Sequence, residues 1–382
     1  MTAPRLGAWP VAPPPTPRRW LAPVVYCALA VAGLLVLGVI VLTSGPVPFA
    51  AGVALALVPV PLIVLGLLAL DRYEPEPLKL LLFTFLWGAT AATLIALIVN
   101  TAALIALRVA INEDTADFLA AAVSAPVVEE LAKGAVLLGL LRMRRRDLDG
   151  PIDGIVYGGL VGLGFAMTEN VLYYSAAAVE NGVAGLLGTF IVRGVLSPLL
   201  HPLFAAATGI GLGYAAVSRW SAARRLLPLL GLVVAMCLHA TWNAAATRGH
   251  IVPVYFLIML PAIVGVFVFA ALDRRRLRRL MRRILPTYVQ SGWLIMADLP
   301  MLESLKWRRR ARAFVKHAAG PSAAKAMRDY QVAATELVQL HDRTERLQFD
   351  PSAFVARQQS LLHRLRAARH AFSVPVRPST WR

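Results

Sequence analysis

Residues 117–141 read DFLAAAVSAPVVEELAKGAVLLGLL, and this stretch decides the fold. At roughly 1.5 Å per residue it is long enough to cross the ~30 Å hydrocarbon core of a bilayer. Yet it carries Glu129, Glu130 and Lys133 near its middle. Each such charge costs about 2.5 kcal/mol or more when inserted there. A plain lipid-facing span does not tolerate three of them. A span with one side turned to a buried polar site does.

Outward from it, comparable apolar runs occupy about 20–43, 47–70, 80–107, 152–178, 184–217, 226–247 and 251–272. With 117–141 they predict an all-α, polytopic membrane bundle of about eight transmembrane helices. Lys and Arg alternate between the connections. Arg18 and Arg19 precede the first run, and Arg72 and Lys79 lie between the second and third. Arg142, Arg144, Arg145 and Arg146 follow the fourth, Arg219, Arg224 and Arg225 the sixth, and Arg274, Arg275 and Arg276 the eighth. The other connections, Thr43–Gly45, Asn112–Asp117 and Glu180–Gly182, hold no such charge, and the last holds Arg248 alone. Eight spans with both termini in the cytoplasm, in the cell membrane, satisfy the positive-inside rule at every loop.

Composition agrees. The chain is 58% hydrophobic and 16% charged, where a soluble domain carries about 25% charged residues. Cys27 and Cys237 both sit inside apolar runs, which argues against a disulfide framework or a cysteine metal site. Residues 1–19 are Pro-rich and read as a disordered cytoplasmic leader rather than a cleaved signal. The tail, 273–382, holds 23 Lys and Arg against 8 Asp and Glu, so +15 of the net +18 lies there. Such a basic cytoplasmic tail is expected to attract anionic lipid headgroups. No nucleic-acid module is visible, and no nucleic-acid partner is expected. The tail reads as a small helical hairpin, one helix at about 323–347 and another opened by Asp350-Pro351. Its histidines, His317, His341, His363 and His370, read as solvated.

The remaining ionisable groups within the apolar runs are not scattered. Glu169 and Asn170 lie on span five, Arg193 and His201 on span six, and His239 and Asn243 on span seven. Counting from the run ends places Glu130, Glu169, His201 and His239 within about one or two helical turns of a common depth. Four consecutive spans, about 117–247, thus supply one polar core. Glycines 158, 159, 162 and 164 let span five pack closely. Carboxylates with histidines suit activation of water. Two assignments stay open. In one, Glu169, His201 and His239 bind Zn²⁺, with Glu129 or Glu130 as general base. In the other no metal is needed: Glu129 and Glu169 activate water, and His239 and Asn243 stabilise the oxyanion. Lys133, Asn170 and Arg193 are supporting groups in either case.

Glu129-Glu130-x-x-Lys133, Phe165-x-x-x-Glu169-Asn170, the His201 segment and His239-x-x-x-Asn243 resemble the PrsW-type intramembrane proteases. So do Asp71-Arg-Tyr-Glu-Pro-Glu-Pro77 and Asp153-Gly154. The likeness covers about 50–250. It implies a wider group with the CAAX prenyl endopeptidases, whose usual Glu-Glu-x-x-x-Arg and Phe-x-x-x-His are replaced here by a lysine one position earlier and by Glu169. The expected function is hydrolysis of a membrane-anchored protein, of which an anti-sigma factor is the family's example. The rival readings are a proton- or cation-coupled transporter, for which no internal repeat is seen, and a non-catalytic membrane scaffold.

Overall fold

A computed structural model describes residues 21–143, 148, 150–347 and 351–373. The leader at 1–19 and the expected cap Asp350 lie outside the described residues. Helices form almost all of the described chain, and no strand occurs among the described residues. Within hydrocarbon a helix satisfies its own backbone, which an open strand cannot do.

The helices are α1 (Leu21–Ser44), α2 (Pro46–Leu57), α3 (Val60–Leu70), α4 (Leu78–Trp87), α5 (Thr93–Ala110), α6 (Glu113–Leu119), α7 (Ala125–Met143) and α8 (Pro151–Phe190). They continue as α9 (Leu200–Ala216), α10 (Ser221–Thr247), α11 (Ile251–Val254), α12 (Leu260–Gln290), α13 (Leu299–Glu303), α14 (Leu305–Leu347) and α15 (Pro351–Phe372). Short π-helical turns at Gly88–Ala92, Ala120–Ser124, Ile191–Leu196 and Tyr255–Met259 interrupt the long helices.

Six helical units among the described residues are long and apolar enough to cross a membrane: Pro23–Ser44, Pro46–Leu70, Leu78–Ala110, Pro151–Ala216, Ser221–Thr247 and Ile251–Gln290. The unit Pro151–Ala216 contains two of the expected spans. It breaks at Asn181 and Gly182, the latter at φ 60°. Helices α6 and α7 correspond to the remaining expected span, and the charges of Glu129, Glu130 and Lys133 make it less apolar than the six. Leu42, Leu62, Val109 and Leu257 are 75–85% exposed on the outside of the bundle. Large aliphatic side chains displayed so widely suit lipid, not water.

The centre of the bundle is α8, and glycine decides how closely α9 approaches it. A Cβ on Gly154 would lie 2.0 Å from the Gly209 carbonyl oxygen, and one on Gly162 would lie 2.2 Å from that of His201. The pairing runs in opposite directions along the two helices, so they are antiparallel and touch backbone to backbone. On α8's other side Gly164 meets the Phe85 carbonyl oxygen in the same way, at 2.1 Å.

The sixth expected span, 184–217, is not one helix. It loses helical geometry at Ser197 (φ −119°, ψ 29°), and α9 restarts at Leu200. Pro198 and Pro202 explain the break, since neither can donate a backbone hydrogen bond. The freed groups are partly re-satisfied by Ser197, whose backbone nitrogen and hydroxyl both donate to the Val192 carbonyl, at 2.9 and 2.7 Å. The break puts His201 in the first turn of a new helix.

Helix α12 runs unbroken from its apolar part into the arginine-rich segment that follows. Its end packs with α13, α14 and α15 around Met281, Leu285, Tyr330, Leu337, Leu361 and Leu365. This is larger than the expected hairpin, because α14 begins at Leu305 and bends at Gly320 (φ 86°). Tyr73, from the loop between α3 and α4, is buried in the same core and donates to the Glu303 carbonyl at 2.8 Å. Arg308 is 2% exposed. It donates to the carbonyls of Leu302 (2.8 Å) and Tyr73 (3.1 Å) and to Thr335 Oγ1 (2.7 Å), with its guanidinium over the Tyr73 ring. Burial lowers its pKa to about 10, so the group stays charged at neutral pH. His317, His363 and His370 are exposed, but His341 is half-buried between the rings of Tyr288 and Phe354. That corrects the solvated reading of His341, which its local sequence suggested and the packing of α12 on α14 overrides.

Candidate metal and catalytic site

Helix α7 supplies Glu129, Glu130 and Lys133, all buried. The spacing puts the ammonium one turn from both carboxylates: Lys133 Nζ lies 2.8 Å from Glu130 Oε1 and 3.4 Å from Glu129 Oε2. It also lies 3.0 Å from His201 Nδ1 and 3.9 Å from the centre of the Phe165 ring. An ammonium can only donate. His201 Nδ1 therefore accepts, and its Nε2 carries the hydrogen given to Glu169 Oε2 at 2.8 Å. Arg193, on the π-helical turn after α8, holds that carboxylate at 2.5 Å and donates through Nε to Asn170 Oδ1 at 2.8 Å. His239 comes from α10. Its Nδ1 is 2.9 Å from Glu130 Oε1, its Nε2 is 3.8 Å from Glu129 Oε2, and its ring stacks on Phe204.

The structure thus brings Glu129, Glu130, Lys133, Glu169, Asn170, Arg193, His201 and His239 into one connected cluster. Asn243 makes its hydrogen bond elsewhere, donating Nδ2 to the Ala121 carbonyl at 2.9 Å. Two contributors escape the sequence reading. Asn100 of α5 donates to Glu129 Oε1 at 3.3 Å, and Tyr173 lies under the Arg193 guanidinium at 4.0 Å. A lone asparagine within an apolar run was the only available signal for the first.

The donor set fits a metal ion. Ligand atoms of Glu129, His201 and His239 all lie within 4.8 Å of one another. One carboxylate and two imidazoles form a donor set suited to zinc. Glu169, expected in that set, instead pairs with Arg193 and with the far nitrogen of His201. Each histidine therefore gives one ring nitrogen to a carboxylate, Glu130 or Glu169, and turns the other toward Glu129 or Lys133. That is how an outer carboxylate orients a metal-binding imidazole. With neutral histidines, three carboxylates face two cations, Lys133 and Arg193, so one negative charge is uncompensated. Glu130 Oε2 is buried with no hydrogen-bond partner. The Lys133 ammonium already stands where a cation is attracted.

Beside the cluster, a cavity of about 20 Å³ is lined by Asn170, Arg193, Ser197, His201 and Trp242 among others. A space of this size and polarity holds about one water.

Fold and cluster together define a class: a multi-pass α-helical membrane protein with a buried carboxylate–histidine centre. The chain belongs to the PrsW family of intramembrane metalloproteases, whose profile matches residues 76–269. Among curated proteins, the chain is similar to "Protease PrsW" of Geobacillus kaustophilus (strain HTA426), 34% identical over 145 residues, which are 38% of this chain and 58% of that protein. It is 28% identical over 211 residues to "Protease PrsW" of Bacillus subtilis (strain 168), covering 54% of this chain and 87% of the relative. It is 30% identical over 156 residues to "Protease PrsW" of Clostridioides difficile (strain 630), covering 41% and 62%. No solved structure matches the chain. The family match begins at Glu76 and stops within α12, so α13, α14 and α15 lie outside it.

Proposed function

We propose that this chain is an intramembrane peptidase that hydrolyses a peptide bond of a single-span, membrane-anchored protein. One observation carries the reading: Glu129, Glu130, His201 and His239, from three different helices, converge inside an apolar bundle with a negative charge to spare. The proposed topology has eight spans, counting α6–α7 and the two parts of Pro151–Ala216 separately, in the cell membrane with both termini cytoplasmic. Residues 117–247 form the catalytic core. An anti-sigma factor is the substrate that the family resemblance suggests.

Glu129, His201 and His239 would hold the metal, proposed to be Zn²⁺, which when bound polarises water and the scissile carbonyl. Glu130 is assigned the general base. Its Oε1 is fixed by Lys133 and by His239, and its Oε2 is left to take the proton. Glu169 orients His201, and Arg193 pairs with the Glu169 carboxylate and holds it in place. Packed helices exclude lipid, and the small cavity next to His201 stores water for the reaction.

The test is cleavage of labelled single-span peptides by purified protein, with and without chelator. Wild type should cleave, chelator should stop it, and Zn²⁺ should restore it. Glu129→Gln and His239→Ala should be inactive. A folded wild type that cleaves nothing across a broad peptide panel, or three site variants (the two named and Glu130→Gln) that cleave normally, would sink the reading.

A further inference from the structure

Where the ends of α3, α8, α9 and α10 meet the arginine-rich half of α12, a cavity of about 1290 Å³ opens. It lies far too wide for a single ion and is not part of the carboxylate–histidine cluster. Arg219, Arg274, Arg276, Arg279, Arg283 and Arg343 line it. Carboxylates are present too. Asp71, Glu74 and Asp153 sit on the bundle wall, while Asp273 and Asp342 both pair with Arg276. The lining holds six arginines against these five carboxylates; with Asp273 and Asp342 engaged by Arg276, the other five arginines face three carboxylates, so the balance still favours the cations. Arg274 donates through Nη2 to the Ala69 and Leu70 carbonyls, at 3.0 and 3.4 Å. Its Nε is buried with no partner.

The rest of the wall is apolar and amphipathic. Tyr214, Trp220, Phe269 and Leu272 line it. From Leu272 the exposed side chains of Val268 and Phe267, 49% and 47% accessible, continue along α12 onto the outer face of the bundle. Cationic groups at the end of the bundle, joined to an apolar track along it, match a molecule with an anionic head and hydrocarbon tails. Basic pockets at the ends of membrane helices recognise anionic lipid in this way.

We propose that this cavity binds one anionic glycerophospholipid. Its phosphate lies among Arg219, Arg274 and Arg279, and an acyl chain follows Phe269 and Leu272 outward. A free phosphate leaves the apolar track unused, and an acidic soluble peptide has no reason to follow it into lipid. The site is independent of the peptidase reading, and its test needs no turnover.

The full-length protein in detergent is mixed with phosphatidylglycerol or phosphatidylcholine, and retained lipid is counted by native mass spectrometry. Wild type should retain one phosphatidylglycerol and little phosphatidylcholine. Arg219→Gln/Arg279→Gln should lower phosphatidylglycerol affinity about twenty-five-fold, at roughly fivefold per arginine. Arg275→Gln/Arg278→Gln, on the same helix and outside the cavity lining, should bind nearly as wild type. Equal loss in both double variants would reduce the effect to general surface charge and overturn the proposal. So would equal retention of phosphatidylcholine, or displacement of the lipid by millimolar inorganic phosphate.

Discussion

Lys133 has no exposed surface, and its single positive charge is shared between two adjacent carboxylates, Glu129 and Glu130. Removing one partner of a buried ion pair costs about 3–5 kcal/mol, because the other charge is left behind. Lys133→Met should therefore lower the melting temperature of the metal-free protein. A divalent cation bound by Glu129, His201 and His239 answers the same excess charge. Added Zn²⁺ should then stabilise Lys133→Met more than wild type, which thermal unfolding with and without chelator measures. Equal Zn²⁺ stabilisation of the two proteins would mean that lysine and metal do not share a site. The neighbouring carboxylates separate by role. Glu130→Gln keeps an acceptor for His239 but cannot take a proton, so cleavage should fall by about 10²–10⁴ while bound metal, read by elemental analysis, stays near the wild-type level. Glu129→Gln should lose metal as well as activity.

At the scale of helices, the site depends on how near α9 can come to α8. Gly162→Ala places a methyl 2.2 Å from the His201 carbonyl oxygen, so the helices must separate near the histidine itself. Overpacking of this kind costs about 1–3 kcal/mol. A shift of about 1 Å at a reacting group can lower turnover about a hundredfold. Gly38→Ala, where nothing lies within 4 Å, is the matched control and should behave as wild type. Comparing the two in melting and cleavage assays isolates the close contact from any general effect of the added methyl. The glycine spacing on α8 was legible in the sequence, because a four-residue period marks one helix face. The break at 197–199 was not. A hydropathy window averages over Pro198 and Pro202, and only the three-dimensional path shows that α9 restarts beside the cluster. The same averaging leaves α7 less apolar than its neighbours, although its charges are what identify it.

For the molecule as a whole, periodicity and charge gave the bundle, the common depth of the polar groups, and a helical tail. They could not give the tail's attachment. Tyr73 meets Arg308 across 235 positions of sequence, and no local pattern encodes a partner so distant. The attachment also reaches toward the site. The loop carrying Tyr73 places Glu76 within hydrogen-bonding distance of Tyr157 on α8, the helix that later presents Glu169. Tyr73 is 5% exposed and packs into the tail core, so Tyr73→Ala removes a buried aromatic worth about 3–5 kcal/mol. Tyr73→Phe removes only the bond to the Glu303 carbonyl, worth about 0.5–1.5 kcal/mol. Limited proteolysis of the purified protein should therefore cut the segment between α12 and α14 much faster in Tyr73→Ala, and only slightly faster in Tyr73→Phe. The bundle, whose own contacts are untouched, should persist as a protected fragment. Cutting rates that match wild type in both variants would show that the tail holds without this anchor, and Arg308 would then be buried for the stability of the tail alone.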